Sequence, residues 1–152
     1  MKGKRKMNLK IKRIKEDAVV PFYATEGSVG LDLSSISEYD IKAGEQKLIK
    51  TGLAVEIPYG FVGMVCSRSG LALKEGLMVL NAPGIIDPDY RGETDEVGVI
   101  LYNTGSVHDE YHVKKGDRVA QLVLVPAPQF EIEEVDVLEN DSRGGFGSTG
   151  KD

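Results

Sequence analysis

The apolar residues of this chain come in short runs, and a glycine or proline turn cuts off almost every one before a helix is established. Leu9 and Ile11 alternate with Lys10 and Lys12, and Leu31 and Leu33 flank Asp32. Both patterns are those of half-buried strands. Phe61–Cys66, Val97–Tyr102 and Arg118–Val125 are apolar runs of strand length, and Glu45–Ile57 reads as two short strands joined near Thr51-Gly52. Phe130–Val137 again alternates, acids against Ile132, Val135 and Val137. Between the runs stand Pro58-Tyr59-Gly60, Asn103-Thr104-Gly105 and Lys114–Asp117, all with turn chemistry. Turns recurring every eight to twelve residues or so predict a sandwich, barrel or jelly roll. One helix is expected, about two turns long, with Ser67 or Ser69 as its cap and Gly76 as its end. The fold class is therefore all-β, jelly-roll-like, with one short helix.

At 152 residues, with no internal repeat or dividing linker, one domain is expected over 1–138. The glycine-rich end, 139–152, lacks the apolar residues to join a core and reads as a mobile arm. The formal charge is −5, which recommends no nucleic acid as a required partner. Eight of the 19 Lys and Arg nevertheless crowd the first fifteen positions, with 1–7 as a basic extension. Such a run is either a solvated lead into a charged strand or an arm for an anionic partner. It has no apolar core of a secretory signal, and no stretch reaches bilayer length. The single cysteine, Cys66, rules out an internal disulfide or a Cys-based zinc site. A soluble cytoplasmic protein, with no membrane partner, is the expectation.

Asn81–Glu93 (N-A-P-G-I-I-D-P-D-Y-R-G-E) carries the most chemistry. Pro83, Gly84 and Pro88 restrict the backbone around an amide, two acids, a ring and a guanidinium. If the segment is extended, Asp87 and Asp89 share a side and Tyr90 faces the other. The segment is either a stiff holder for a planar polar ligand or a tight connection with solvated charges. Arg68-Ser69-Gly70 opens the helix and suits an anion. Gln121, inside an apolar strand, must satisfy its amide against backbone, a ligand or a metal-bound water. Asp32 is either the wet side of a strand or a carboxylate presented to a site. Arg143 through Thr149 offers a cation, a ring and exposed amides able to wrap phosphate, or else is a featureless tail. His108 and His112 lack a third ligand, and no nucleophile elbow or Walker motif occurs.

Taken in order, five segments resemble the motifs of the trimeric dUTPases and span nearly the whole chain. They are Gly30-Leu31-Asp32-Leu33, Arg68–Gly76, Asn81–Glu93, Gly116–Leu122 and Arg143–Gly150. The resemblance implies a homotrimer whose active sites are shared between subunits, with the C-terminal arm closing over a neighbour's site. It also implies Mg²⁺-dependent hydrolysis of dUTP to dUMP and pyrophosphate, keeping uracil out of DNA and supplying dUMP for thymidylate synthesis. Asp87 is then the catalytic residue, activating water against the α-phosphorus. Asp32 and Gln121 grip waters on Mg²⁺, which the substrate phosphates mainly hold. Arg68, Ser69 and Gly70 bind phosphate oxygens. Asn81 and the Ile85-Ile86 backbone read uracil, with Gly84 in the same substrate-binding stretch, and Tyr90 packs under the deoxyribose. Phe146 covers the base, Arg143 lies against the γ-phosphate, and Gly147, Ser148 and Thr149 complete the arm.

Three positions depart from the commoner family pattern. Ser67 stands where a proline usually precedes the arginine, Thr94-Asp95-Glu96 reads as an insertion forming a bulge, and only two glycines separate Arg143 from Phe146. Two rival functions fit the same features. One is a dCTP deaminase-type relative of the same fold. The other is a dUTP-binding regulatory protein with a protein partner of unknown identity.

Overall fold

The structure is a computed structural model, described over residues 7–145. Its strands are β1 (Lys10–Arg13), β2 (Gly30–Ser34), β3 (Tyr39–Lys42), β4 (Gln46–Glu56), β5 (Phe61–Cys66), β6 (Leu77–Val79), β7 (Gly84–Ile86), β8 (Glu96–Asn103), β9 (Glu110–Val113) and β10 (Arg118–Pro126). One helix, α1 (Ser69–Glu75), lies between β5 and β6. Four strands form a sheet in the order β1-β4-β8-β6, four more in the order β2-β10-β5-β7, and β3 pairs with β9 as a ribbon. Every pairing is antiparallel. Neighbours in the sheets are mostly not neighbours in sequence, as in a jelly roll, and the chain is all-β. No helix among the described residues is long and apolar enough to cross a membrane.

Alternation explains the packing. Along β8, Val97, Val99, Leu101 and Asn103 are buried while the residues between them are half-exposed. Val97, Val99 and Leu101 meet Leu33, Ile41, Ile49, Leu77, Val113 and Leu122 in one core. Burying each such aliphatic side chain is worth about 1.5–3 kcal/mol. The outward faces are less polar than a solvated sheet requires: Leu48, Met78, Leu80 and Ile85 are all exposed.

Four local expectations need correction. Glu45–Ile57 is not two strands: β4 runs unbroken from Gln46 to Glu56, with a register shift against β8 between Lys50 and Ala54. Gly52 supplies the bend with φ of 70°. The bulge thus sits on β4, opposite the supposed Thr94–Glu96 insertion. That segment forms a tight turn closed by Gly92 N donating to Asp95 Oδ2 at 2.7 Å, and Glu96 Oε1 accepts from Gly52 N at 2.8 Å.

The helix is not capped by Ser67 or Ser69. Arg68 occupies the N-cap position with no side-chain cap, because Ser67 Oγ accepts instead from Val79 N at 2.8 Å. Gly76 does end the helix, at φ 67°. The alternating stretch Phe130–Val137 forms no strand in this chain, and Phe130, Ile132 and Val137 are largely exposed.

Candidate active site

Two groups of the expected site residues assemble, and they assemble apart. The first lies where β2, β10 and β5 run side by side, with Asp32 opposite Gln121 and Gln121 opposite Cys66. Both oxygens of Asp32 are taken: Arg68 Nε donates to Oδ1 at 3.0 Å and Arg118 Nη1 to Oδ2 at 3.1 Å. Arg68 Nη1 also reaches the Arg118 carbonyl at 3.1 Å. Gln121 Nε2 donates to Ser67 O at 3.0 Å, and its Oε1 has no hydrogen-bond partner among the described residues. Ser69 and Gly70 form the adjoining first turn of α1, where backbone N–H groups have no intrahelical partner. Arg118 received no role from the sequence. Its place at the start of the strand that carries Gln121 is the signal that marks it.

The second group surrounds a cleft of about 300 Å³. Asn81, Gly84, Ile85, Ile86 and Tyr90 line it, backed by Val65 and by β8. β7 is the edge of its sheet, so one side of its backbone has no strand partner among the described residues. Tyr90 Oη donates to the Glu96 carbonyl at 3.0 Å, which ties the ring to another lining residue of the cleft.

Asp87 and Asp89 do share a side, but not by extension. The extended backbone stops at Ile86, and Asp87–Tyr90 is a turn closed by Tyr90 N donating to Asp87 O at 3.1 Å. Pro88, with its fixed φ, sits at the second position of that turn. Both acids face a neighbouring cavity of about 710 Å³ bounded also by Tyr59 and Pro128, while Tyr90 turns into the cleft.

Asp87 and Asp32 do not meet within one chain. The register sets Asp87 three strands across and four residues along from Asp32, roughly 20 Å at ordinary strand spacing. Arg143 is exposed in irregular chain and joins neither group. Phe146, Gly147, Ser148 and Thr149 lie outside the described residues.

For Mg²⁺, the donor set decides. No group of three His, Cys, Asp or Glu able to hold a metal occurs among the described residues, and Asp32 is already paired with two guanidinium groups. The residues therefore fit an ion carried in by phosphates and contacted through its waters, with Gln121 Oε1 as the open acceptor. They do not fit a dedicated protein cage.

A family model for dUTPase matches residues 16–150. The chain belongs to the dUTPase family. Among its relatives, the deoxyuridine 5'-triphosphate nucleotidohydrolase of Nautilia profundicola is 49% identical over 95% of this chain and 100% of its own length. That of Hydrogenobaculum is 48% identical over 95% and 99%. The dUTPase of Staphylococcus bacteriophage 80alpha with dUpNHpp superposes with a TM-score of 0.84 at 30% identity, covering 94% of this chain and 98% of that one. A mutant dUTPase from phage phi11 of S. aureus, described as coordinating a structural Mg(II) ion, gives 0.78 at 27%, covering 88% of this chain and 100% of that one.

Proposed function

We propose that this dUTPase hydrolyses dUTP to dUMP and pyrophosphate, in sites completed by more than one copy of the chain. The observation that carries the reading is the edge strand Gly84–Ile86 lining a base-sized cleft with Asn81 and Tyr90. Uracil presents an acceptor–donor–acceptor edge. An unpaired strand edge offers N–H and C=O groups in alternation, and the Asn81 amide adds one of each. Tyr90, held by Glu96, packs under the deoxyribose and leaves no space for a 2′-hydroxyl. The stiff wall of backbone and Val65 rejects the thymine methyl more strongly than a soft apolar pocket would.

Chemistry follows from the acid that comes directly after the cleft-lining strand and faces the neighbouring cavity. Asp87 accepts a proton from a water, whose oxygen bonds to the α-phosphorus as the bond to the bridging oxygen breaks. The electron pair leaves with pyrophosphate. Arg68, with Ser69 and Gly70, takes up charge on the phosphate oxygens. Mg²⁺, when bound, would neutralise the triphosphate, and Gln121 Oε1 and the lone pairs of Asp32 that its two arginines leave would accept from its waters. The arm from 139 onward, with Arg143 towards the γ-phosphate and Phe146 to Thr149 over the base and phosphates, closes the site.

A homotrimer supplies what one chain lacks. The separation of Asp87 from Asp32 and Arg68 exceeds the reach of one phosphate centre, and the exposed Leu48 and Ile85 of the cleft, with the exposed Met78 and Leu80, suit burial by another copy. The same reading places the protein in the cytoplasm.

The test is pyrophosphate release from dUTP, UTP, dTTP and dCTP with Mg²⁺, for wild type and Asp87→Asn. Turnover should be selective for dUTP and fall by about 10²–10⁴ in the variant. Ammonia release from dCTP would overturn the assignment in favour of a deaminase.

A further inference from the structure

The turn that bears Asp87 has little of its own to hold it. β7 has ended, the turn closes on one backbone hydrogen bond, and the chain turns again at Gly92–Asp95. Asp87 is exposed, and its carboxylate has no hydrogen-bond partner among the described residues. A base in such a place is aimed by its backbone alone.

Arg91 fixes that backbone. Its Nε donates to the Pro88 carbonyl at 2.7 Å and its Nη2 to the Ile57 carbonyl at 2.6 Å. The first carbonyl lies inside the Asp87 turn; the second lies just past the end of β4. One planar fork therefore bolts the turn to the corner between the two sheets. Tyr59 lies under the guanidinium, 4.9 Å from ring centre to Cζ, and Glu56 stands 3.7 Å from Nη1. The Arg91 side chain is only 29% exposed, against 50% and 85% for the partners of the nearby Lys12–Glu93 pair. Water competes less for its bonds than for those of an ordinary surface cation.

We propose that Arg91 is a positioning residue for hydrolysis: it holds the Asp87 turn at a fixed angle to the nucleoside cleft without touching substrate. The proposal rests on Asp87 as the base. Lysine cannot replace it, because a compact ammonium on a flexible stem does not span two carbonyls in one plane.

A residue that merely stabilises the fold would lower the fraction of competent protein and leave each surviving site as fast as before. The experiment therefore measures both, on the full chain, for Arg91→Lys and Arg91→Ala. Binding of dUpNHpp by calorimetry counts competent sites, and steady-state pyrophosphate release gives kcat and KM. Per competent site, kcat should fall about a hundredfold, as a small misplacement of a reacting group does. KM and dUpNHpp affinity should stay within about threefold, since Tyr90 keeps its own anchor on the Glu96 carbonyl and the cleft-lining strand lies outside the turn. Guanidinium ion at low millimolar concentration should restore part of kcat in Arg91→Ala and none in Arg91→Lys. The proposal is overturned by a per-site kcat close to wild type, or by a loss that appears in KM and affinity instead. A wild-type chain inert towards dUTP would overturn the underlying reading, and this one with it.

Discussion

Gly30 and Gln121 share one space: a Cβ built on Gly30 would lie 2.2 Å from Gln121 Oε1. Gly30 does not have a left-handed backbone, so alanine there meets only the flexible end of the Gln121 side chain, which must move. Gly30→Ala should drive the Gln121 amide off Ser67 O and turn its acceptor away from the phosphate end. Expected is a folded protein, destabilised by about 1–3 kcal/mol through overpacking. Its kcat/KM for dUTP should be lower by about tenfold or more, from the misplaced amide. Steady-state kinetics beside urea unfolding check it. Unchanged kinetics in a destabilised protein would remove Gln121 from the site.

The strands were legible in the sequence because period-two alternation and turn residues act locally. The α1 C-terminus at Gly76 was legible for the same reason. What escaped depends on partners distant in the chain. Glu96 reaching Gly52 N keeps β4 continuous through a glycine that reads as a break. Val79 N claims the Ser67 hydroxyl that local rules assign to helix capping. Asp87 and Asp89 face one cavity as alternation suggested, yet the cause is a proline turn. The pairing of Arg118 with Asp32 joins positions 86 apart, and nothing local announces it. Phe130–Val137 has the pattern of a strand and no strand partner among the described residues. A pattern can state which face is apolar without saying which molecule covers it.

Asn103 closes the end of β8 from inside the core and is fully buried. Its Nδ2 donates to the Ile41 carbonyl at 3.0 Å and the His108 carbonyl at 3.2 Å, and its Oδ1 accepts from Gly105 N at 2.9 Å. Asn103→Ala orphans all three groups at once. The loss in unfolding free energy should be about 1–3 kcal/mol, because the Ile41 carbonyl is buried while His108 and Gly105 can turn to water. Urea denaturation with an unchanged m-value is the measurement. A loss below about 1 kcal/mol would mean that water replaces the amide.

His112 gives a pH dependence unrelated to turnover. Its Nδ1 meets Asp40 Oδ1 at 2.6 Å across the β3–β9 ribbon, and the hydrogen bond to that carboxylate raises its pKa above the usual 6.5. Glu38 adds to the rise, while slight desolvation and Lys114 oppose it. A raised folded-state value means that the imidazolium is favoured by folding. The contribution is fully present below the unfolded value and fades as pH climbs through the folded one. NMR titration should place the His112 midpoint above 6.5, and Asp40→Asn should bring it down. A midpoint unmoved by that substitution would detach the histidine from Asp40.

The separation of Asp87 from Arg68 makes a sharper demand on how copies combine. If each site takes Asp87 from one subunit and Arg68 from another, Asp87→Asn and Arg68→Ala chains are each inactive alone and repair one another when mixed. A site then works when its Asp87 comes from an Arg68→Ala chain and its Arg68 from an Asp87→Asn chain. Random mixing in a cyclic trimer gives that combination in about a quarter of the sites. Denaturing the two variants together and refolding them should recover roughly that fraction of wild-type dUTP turnover, whereas combining the folded proteins without exchange should recover none. Were one chain to supply both residues to a single site, every site in the mixture would carry one of the two lesions. Activity would then stay at the level of the separate variants, however thoroughly the subunits had mixed.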